Sequence, residues 1–296
     1  MPVSRLRSDL ILLLAAAIWG FAFVAQRLGM DYVGPFTYTA ARFTLGCMVL
    51  VPFLILRKPD FSRIRKEKKA TRRKFLLLQI ALGLILFGGI SLQQYGLLFT
   101  TAGNAGFITG LYVVFVPIVG SFIGHRISMS LWIGIILAAA GLYFLSIRPG
   151  TGINPGDVYV FGCALFWTAH VLLIGYLAPR RNPVHIAMIQ FAITAILSWI
   201  VAIGLEEIRM QSLMDAAWPI LYGGVLSVGI AYTLQVVAQQ HAHPAYASII
   251  LSLESAFAVL GGWLILAEPM TGRILLGCIL MLAGMVIVQR RNSLPL

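Results

Sequence analysis

Ten long apolar stretches follow one another along the chain, and few architectures accept them. They are Leu10–Arg27, Pro35–Leu56, Phe75–Phe99, Ala102–Gly124, Ser130–Ile147, Asp157–Leu177, His185–Gly204, Ala217–Gln240, Pro244–Leu266 and Thr271–Gln289. Crossing the hydrocarbon core of a bilayer takes about 20 mostly apolar residues in a helix, and each stretch is near that length. The apolar runs are continuous and do not alternate in blocks of about ten, which excludes a transmembrane β-barrel. Together they consume most of the 296 residues, so no soluble domain of useful size remains. Composition agrees. The chain is 59% hydrophobic and 11% charged, against about 45–50% and about 25% in soluble domains. The predicted fold class is an all-α polytopic membrane protein with ten transmembrane helices. The basic start (Arg5, Arg7) before the first apolar run has the outline of a signal peptide. The run continues through Trp19-Gly20-Phe21-Ala22-Phe23 without a small-residue cleavage site, so a retained first helix is expected.

The charge that remains is lopsided, with 22 Lys and Arg against 10 Asp and Glu. On a soluble chain this would point to nucleic acid; here the cations cluster by loop. Arg5 and Arg7, the ten cations of the loop from Arg57 to Lys74, Arg126, Arg180 with Arg181, and Arg290 with Arg291 fall on one side. Arg27, Arg148, Arg209 and Arg273 fall on the other, and Arg42 lies inside a span. Short cytoplasmic loops accumulate positive charge, so both termini are expected to be cytoplasmic in the cell (inner) membrane. The basic loop then lies against anionic membrane lipid.

The halves also echo each other. Trp19 and Trp167, Pro35 and Pro183, and Phe43 and Phe191 share one offset, and Gly134 and Gly141 repeat as Gly277 and Gly284. Five spans per half is an odd number, so the second half enters the membrane from the opposite side. The expectation is two inverted five-helix repeats, residues 1–150 and 151–296, with a substrate site near the midplane between them.

These residues carry a resemblance as well. Trp19-Gly20, Arg42-Phe43, the run Phe107-Ile108-Thr109-Gly110-Leu111-Tyr112-Val113-Val114-Phe115-Val116-Pro117, and Ala164-Leu165-Phe166-Trp167 form its first part. Gln190-Phe191, Ala231-Tyr232 with Gln235, Leu251-Ser252-Leu253-Glu254 and Ala267-Glu268-Pro269-Met270-Thr271 form the second. In this order and spacing the sequence resembles the EamA-type members of the drug/metabolite transporter superfamily over essentially its whole length. The resemblance implies a ten-helix carrier of small metabolites, amino acids or drug-like solutes, commonly working outward. Two positions depart from it. Gly124-His125-Arg126 stands where the family usually has a Glu, the counterpart of Glu268, which puts that loop Glu in doubt as an essential group. Ser255 stands where Pro often follows the Glu of the ninth helix, which implies a straighter ninth helix.

Ionisable residues inside a span are costly and are functional candidates by default. Glu254 and His170 lie at similar depth, counted from the ends of their spans at about 1.5 Å per residue. If both face a central cavity they form a proton-sensitive pair; otherwise each is satisfied by a neighbouring helix. Arg42 stays charged under almost any condition, so it pairs with a carboxylate, holds an anionic group or snorkels to the headgroups. Because the pattern recurs in the family, a structural or gating role is read for it over direct substrate contact. Trp19, Phe23, Tyr112, Trp167 and Tyr232 are candidate cavity walls, with interhelical packing as the plain alternative. Thr109, Gln190, Gln94 and Gln235 are candidate gating or structural polar groups, the last two one near each mouth. The G-x-x-x-G pairs Gly106/Gly110 and Gly120/Gly124 permit close helix approach, and Pro117 between them is expected to bend the fourth span.

No catalytic signature is present: there is no P-loop, no H-E-x-x-H and no G-x-S-x-G. Cys47, Cys163 and Cys278 are widely spaced inside apolar runs, and His241-Ala242-His243 lacks acidic or Cys companions, so no metal and no cofactor are expected. The reading is a secondary transporter working by alternating access, a monomer or homodimer, driven by exchange or a gradient with protons as candidate coupling ion. The alternatives are a membrane-embedded enzyme, which would need paired acids or a metal cluster, and a channel or scaffold.

Overall fold

The computed structural model describes residues 5–56, 68–100, 102–125, 128–146, 155–267 and 269–292. Most of the basic loop (57–67), Arg126, Arg148 and Glu268 lie outside the described residues, as do the side chains of Asn104, Phe107, Arg290 and Arg291.

Helices account for every expected span. They are α1 (Arg5–Gly29), α2 (Pro35–Leu56), α3 (Lys69–Gly96), α4 (Ala102–Gly110), α5 (Tyr112–Phe122), α6 (Met129–Ser146), α7 (Pro155–Leu177), α8 (Pro183–Leu205), the short α9 (Met210–Asp215), α10 (Ala217–Leu221), α11 (Thr233–Ala238), α12 (Pro244–Leu251), α13 (Glu254–Leu266) and α14 (Gly272–Asn292). A π-helical stretch, Tyr222–Tyr232, joins α10 to α11. Seven segments are long and apolar enough to cross a membrane, and three shorter apolar helices (Ile108–Phe122, Met129–Phe144, Gly272–Ile287) accompany them. The chain is a multi-pass helical membrane protein.

Local chemistry sets the starts. Proline stands at the first position of α2, α7, α8 and α12, where its missing N–H costs nothing and its φ suits a helix. Asn182 caps α8, its Oδ1 accepting from the N–H of Val184 at 2.9 Å and of His185 at 3.3 Å. The start of α2 is capped from elsewhere. The carboxylate of Glu206, just past the end of α8, accepts from the N–H of Phe36 (2.8 Å) and Thr37 (2.7 Å) and from the Thr37 hydroxyl (2.6 Å).

The fourth and ninth spans correct two expectations. Pro117 sits inside the continuous α5; the fourth span breaks six residues earlier, at Leu111. There the backbone tightens, with Leu111 N–H donating to Ile108 O (3.2 Å) and Val114 N–H to Leu111 O (2.9 Å). The ninth span, expected to run straighter without its proline, is divided by a turn at Ser252–Leu253. Leu253 N–H donates to Ile250 O (3.2 Å) and Ser255 N–H to Ser252 O (3.1 Å) in the tighter i→i+3 pattern. Ser255 itself fixes this turn, donating its hydroxyl to Gly106 O of α4 at 2.7 Å.

The principal seams are α6 on α14, α3 on α7, α2 on α8 and α1 on α13. At the first, backbones touch: a Cβ on Gly141 would lie 2.6 Å from Gly277 O, and one on Gly284 would lie 2.8 Å from Gly134 O. Only glycine fits at such a crossing. The largest buried cluster gathers Leu12, Phe43, Leu86, Ile90, Trp167, Phe191 and Tyr232 around the centre of the bundle.

Candidate functional site

A small cavity of about 30 Å³ lies at that centre, room for a water or two and well below the ~300–1,000 Å³ usual for ligand sites. One face of α1 supplies Trp19, Ala22, Phe23 and Gln26, residues that a 3.6-residue period stacks on a single stripe. Arg42 enters from α2, Ile90 and Gln93 from α3, and Trp167 and Val171 from α7. The broken spans contribute at their breaks: Thr109 from the end of α4, Tyr112 from the start of α5, Leu251 from the end of α12 and Glu254 from the start of α13. Ser227 and Tyr232 of the π stretch and Gln235 of α11 complete the wall.

Tyr232 is the aromatic hub. Its ring lies 4.6 Å from that of Trp19, stacks on Trp167 at 5.9 Å and meets Phe191 at 6.0 Å. These offset and edge contacts are the geometries aromatic quadrupoles favour. The Trp19 indole N–H donates to Ser227 O at 3.2 Å. The Trp167 indole N–H has no oxygen acceptor; only the Cys163 thiol lies within its reach.

Polar chemistry is concentrated on the same wall. Arg42 is 1% exposed. Its guanidinium stands 5.3 Å from the Tyr38 ring centroid and 5.4 Å from that of Phe43, a cation–π setting that partly replaces lost water. Its Nε and Nη2 lack partners, as do Oε1 of Gln26 and Oε1 of Gln235. Glu254, also buried, lies within hydrogen-bonding reach of the Tyr112 hydroxyl. Gln93 donates to the Thr109 hydroxyl at 3.2 Å. A buried polar group without a partner is expensive, and here such groups of both signs converge on one small space.

Nine of the twelve residues expected at a site line this cavity: Trp19, Phe23, Arg42, Thr109, Tyr112, Trp167, Tyr232, Gln235 and Glu254. Three stand outside the lining. Depth alone puts His170 beside Glu254; instead its Nε2 is 2.8 Å from Gln190 Oε1, behind Trp167, while His170 Nδ1 and Gln190 Nε2 lack partners. Gln94 is buried, with neither amide atom partnered, but away from the cavity wall. Gln26 and Ser227 were not anticipated. Gln26 was findable, since it shares the helical face of Trp19 and Phe23; Ser227 was not, because its contribution is a backbone carbonyl. Among the described residues no group of three or more His, Cys, Asp or Glu gathers as metal ligands would.

At the end of the bundle where α5 stops and α12 starts, His125 and His243 meet with ring centroids 4.6 Å apart. Burial, and then the neighbouring His125, hold the pKa of His243 below the usual histidine value.

The profile of the EamA-like transporter family matches the chain twice, over residues 6–147 and again over 154–290. An uncharacterized transporter of Archaeoglobus fulgidus is 32% identical over 290 residues, which cover 98% of this chain and 88% of that protein. The threonine/homoserine exporter RhtA of Salmonella typhimurium is 27% identical over 291 residues, 93% of this chain and 89% of its own. A crystal structure 20% identical in sequence covers 96% of this chain and 98% of its own with a TM-score of 0.76, a likeness of fold.

Proposed function

The chain belongs to the EamA-like transporter family, and from that premise we propose that it is a secondary active exporter of a small zwitterionic, amino-acid-like solute. Membership makes it a transporter and sets aside the membrane-embedded enzyme. The observation that carries the substrate class is the pairing of Arg42 and Glu254 on the wall of one aromatic cavity. An Arg fork with two unpartnered N–H groups suits a carboxylate. Glu254 with the amide oxygens of Gln26 and Gln235 suits an ammonium, and Trp19, Trp167 and Tyr232 suit a compact apolar side chain. This reads Arg42 as a substrate contact in place of the gating partner implied by resemblance. The name of one relative, a threonine/homoserine exporter, is in keeping with it.

The proposed mechanism is alternating access between two inverted five-helix repeats, 1–150 and 151–296, with both termini cytoplasmic in the cell membrane. The double match of one family profile supports the repeat. So does the reciprocal approach of Gly141 to Gly277 and of Gly284 to Gly134. The breaks at Leu111 and Ser252–Leu253, each beside the cavity, support it too, since discontinuous helices in matching places are the usual setting of a midplane site. Protons are the proposed coupling ion, with Glu254 as their carrier.

Purified protein in proteoliposomes tests the reading, with a panel of amino acids and related metabolites, with and without a pH gradient. Arg42→Gln is expected to raise KM for a carboxylate-bearing substrate by roughly 10- to 100-fold, the scale of a lost charge-assisted hydrogen bond. Glu254→Gln is expected to abolish gradient-driven flux and spare exchange; driven flux unchanged by that substitution would refute proton coupling through Glu254. Flux that never saturates would instead identify a channel.

A further inference from the structure

Away from the cavity, where α3 begins and α7 gives way to α8, the protein sets cations around two stacked rings. Phe75 and Tyr176 lie with centroids 6.3 Å apart and planes 15° apart. The Arg181 guanidinium stands 3.8 Å over Phe75, that of Arg180 4.3 Å over Tyr176, and the Lys74 ammonium 5.9 Å from the same ring. Arg180 is oriented further by donating its Nη1–H to Tyr176 O at 2.7 Å. Lys69 and Arg73 extend the cluster along α3, whose first turn holds no acid. Among the described residues Asp9 of α1 is the one acidic side chain at this end of the bundle.

The surface beside these cations is apolar. Along one face of α3, Lys69, Arg73 and Lys74 give way to Leu77 and Leu78, and Leu76, Leu77 and Leu84 are each half exposed along the same helix. A rim that attracts phosphate therefore passes directly into a strip that prefers hydrocarbon. A free anion uses only the first; a phospholipid uses both. Planar guanidiniums held on ring faces are pre-oriented to fork onto phosphate oxygens.

We propose that this cation–aromatic cluster is a binding site for the phosphate headgroup of an anionic phospholipid, with an acyl chain lying along Leu77 and Leu78 of α3. The proposal is independent of the transported solute and of the transport mechanism. Unlike the diffuse attraction of any basic loop, it makes retention depend on particular residues and on the rings beneath them.

Native mass spectrometry of the full-length transporter, released from mixed phosphatidylglycerol and phosphatidylcholine, tests it. The wild type is expected to retain phosphatidylglycerol in preference. Each cation lost from Arg73→Gln, Lys74→Gln and Arg180→Gln should weaken that retention about fivefold. Tyr176→Leu, which keeps every charge, should weaken it as well. A control, Arg7→Gln, removes an exposed cation of α1 that takes no part in the cluster and, set against Arg180→Gln, should leave the preference intact. Arg180→Gln alone serves should the cluster triple not purify. Equal loss in cluster and control variants, no preference in the wild type, or displacement of the lipid by millimolar inorganic phosphate would each overturn the proposal. The first outcome means diffuse attraction, and the last a soluble-anion site.

Discussion

The third and eighth spans hold comparable posts and are built differently. Each packs along a helix bearing one of the two central tryptophans: α3 along α7 with Trp167, and the π stretch with α11 along α1 with Trp19. The third span is α-helix for 28 residues without a break, so its carbonyls are engaged by N–H groups four residues on. Gly88 and Gly89 let Phe166 and Trp167 come close, but the helix offers the indole no acceptor. The eighth span gives 11 residues to π-helix, whose wider turns re-aim backbone groups and recur at functional sites. There Ser227 O receives the Trp19 N–H. The result is two tryptophans of one cavity with unlike duties. Trp19 is a strut tied to the π stretch by its N–H; the Trp167 N–H finds no oxygen acceptor and has only the Cys163 thiol within reach.

The difference is breakable, and the largest effect should come from removing it. A π turn absorbs about one extra residue, so deleting Leu226 should tighten the stretch toward α pitch and re-aim the backbone that follows it. Transport is expected to fall on the order of 100-fold, as when a binding group is displaced by about an ångström, with the protein still folded. Flux within about twofold of wild type would strip the π stretch of a functional role. Next in size, Trp19→Phe leaves Ser227 O without its donor and should cost about 1–3 kcal/mol of stability, read by thermal unfolding in detergent, with KM little moved. Trp167→Phe should do the reverse: stability nearly unchanged, and KM up roughly 3- to 10-fold for the loss of one hydrogen bond. If the two variants exchange these signatures, the assignment of strut and donor is inverted.

The smallest effect lies at the contact of His125 with His243, which joins a loop of the first half to one of the second. Because folding lowers the His243 pKa, the unfolded chain binds more protons as pH falls through about 6.5. Stability from this group is therefore present at neutral pH and declines on acidification until the folded protein also takes up the proton. His243→Asn should flatten that part of a melting-temperature profile between pH 7 and 5.

Much of this was legible in the residues. The ten apolar runs all fall on helices, seven of them long and apolar enough to cross a membrane and three shorter, because a bilayer leaves an apolar run little choice but helix. Five of the nine cavity residues, Arg42, Glu254, Gln235, Trp19 and Trp167, bear a charge, amide or indole that is costly or unusual inside a span; Phe23, Thr109, Tyr112 and Tyr232 were singled out as rings or a hydroxyl on the same spans. What escaped detection was backbone. Neither break carries a proline: Leu111 follows Gly110, a weak helix former that membrane helices hold too often for it to announce a break, and the ninth-span turn is held by Ser255, the residue whose presence argued for a straighter helix. The π stretch is hidden for the same reason, since Gly223, Gly224 and Gly229 mark close packing against Leu45 and Val49 of α2 and do not announce a change of pitch. His170 was misplaced because depth fixes a level in the membrane and says nothing about the direction a ring faces.

The carboxylate of Glu206 has a consequence for motion. It grips the first turn of α2 with three hydrogen bonds from the far end of α8, stitching the two halves at one rim. Parting α2 from α8 there would strip a charged acceptor of all three donors, so this rim resists opening more strongly than a seam of apolar side chains does.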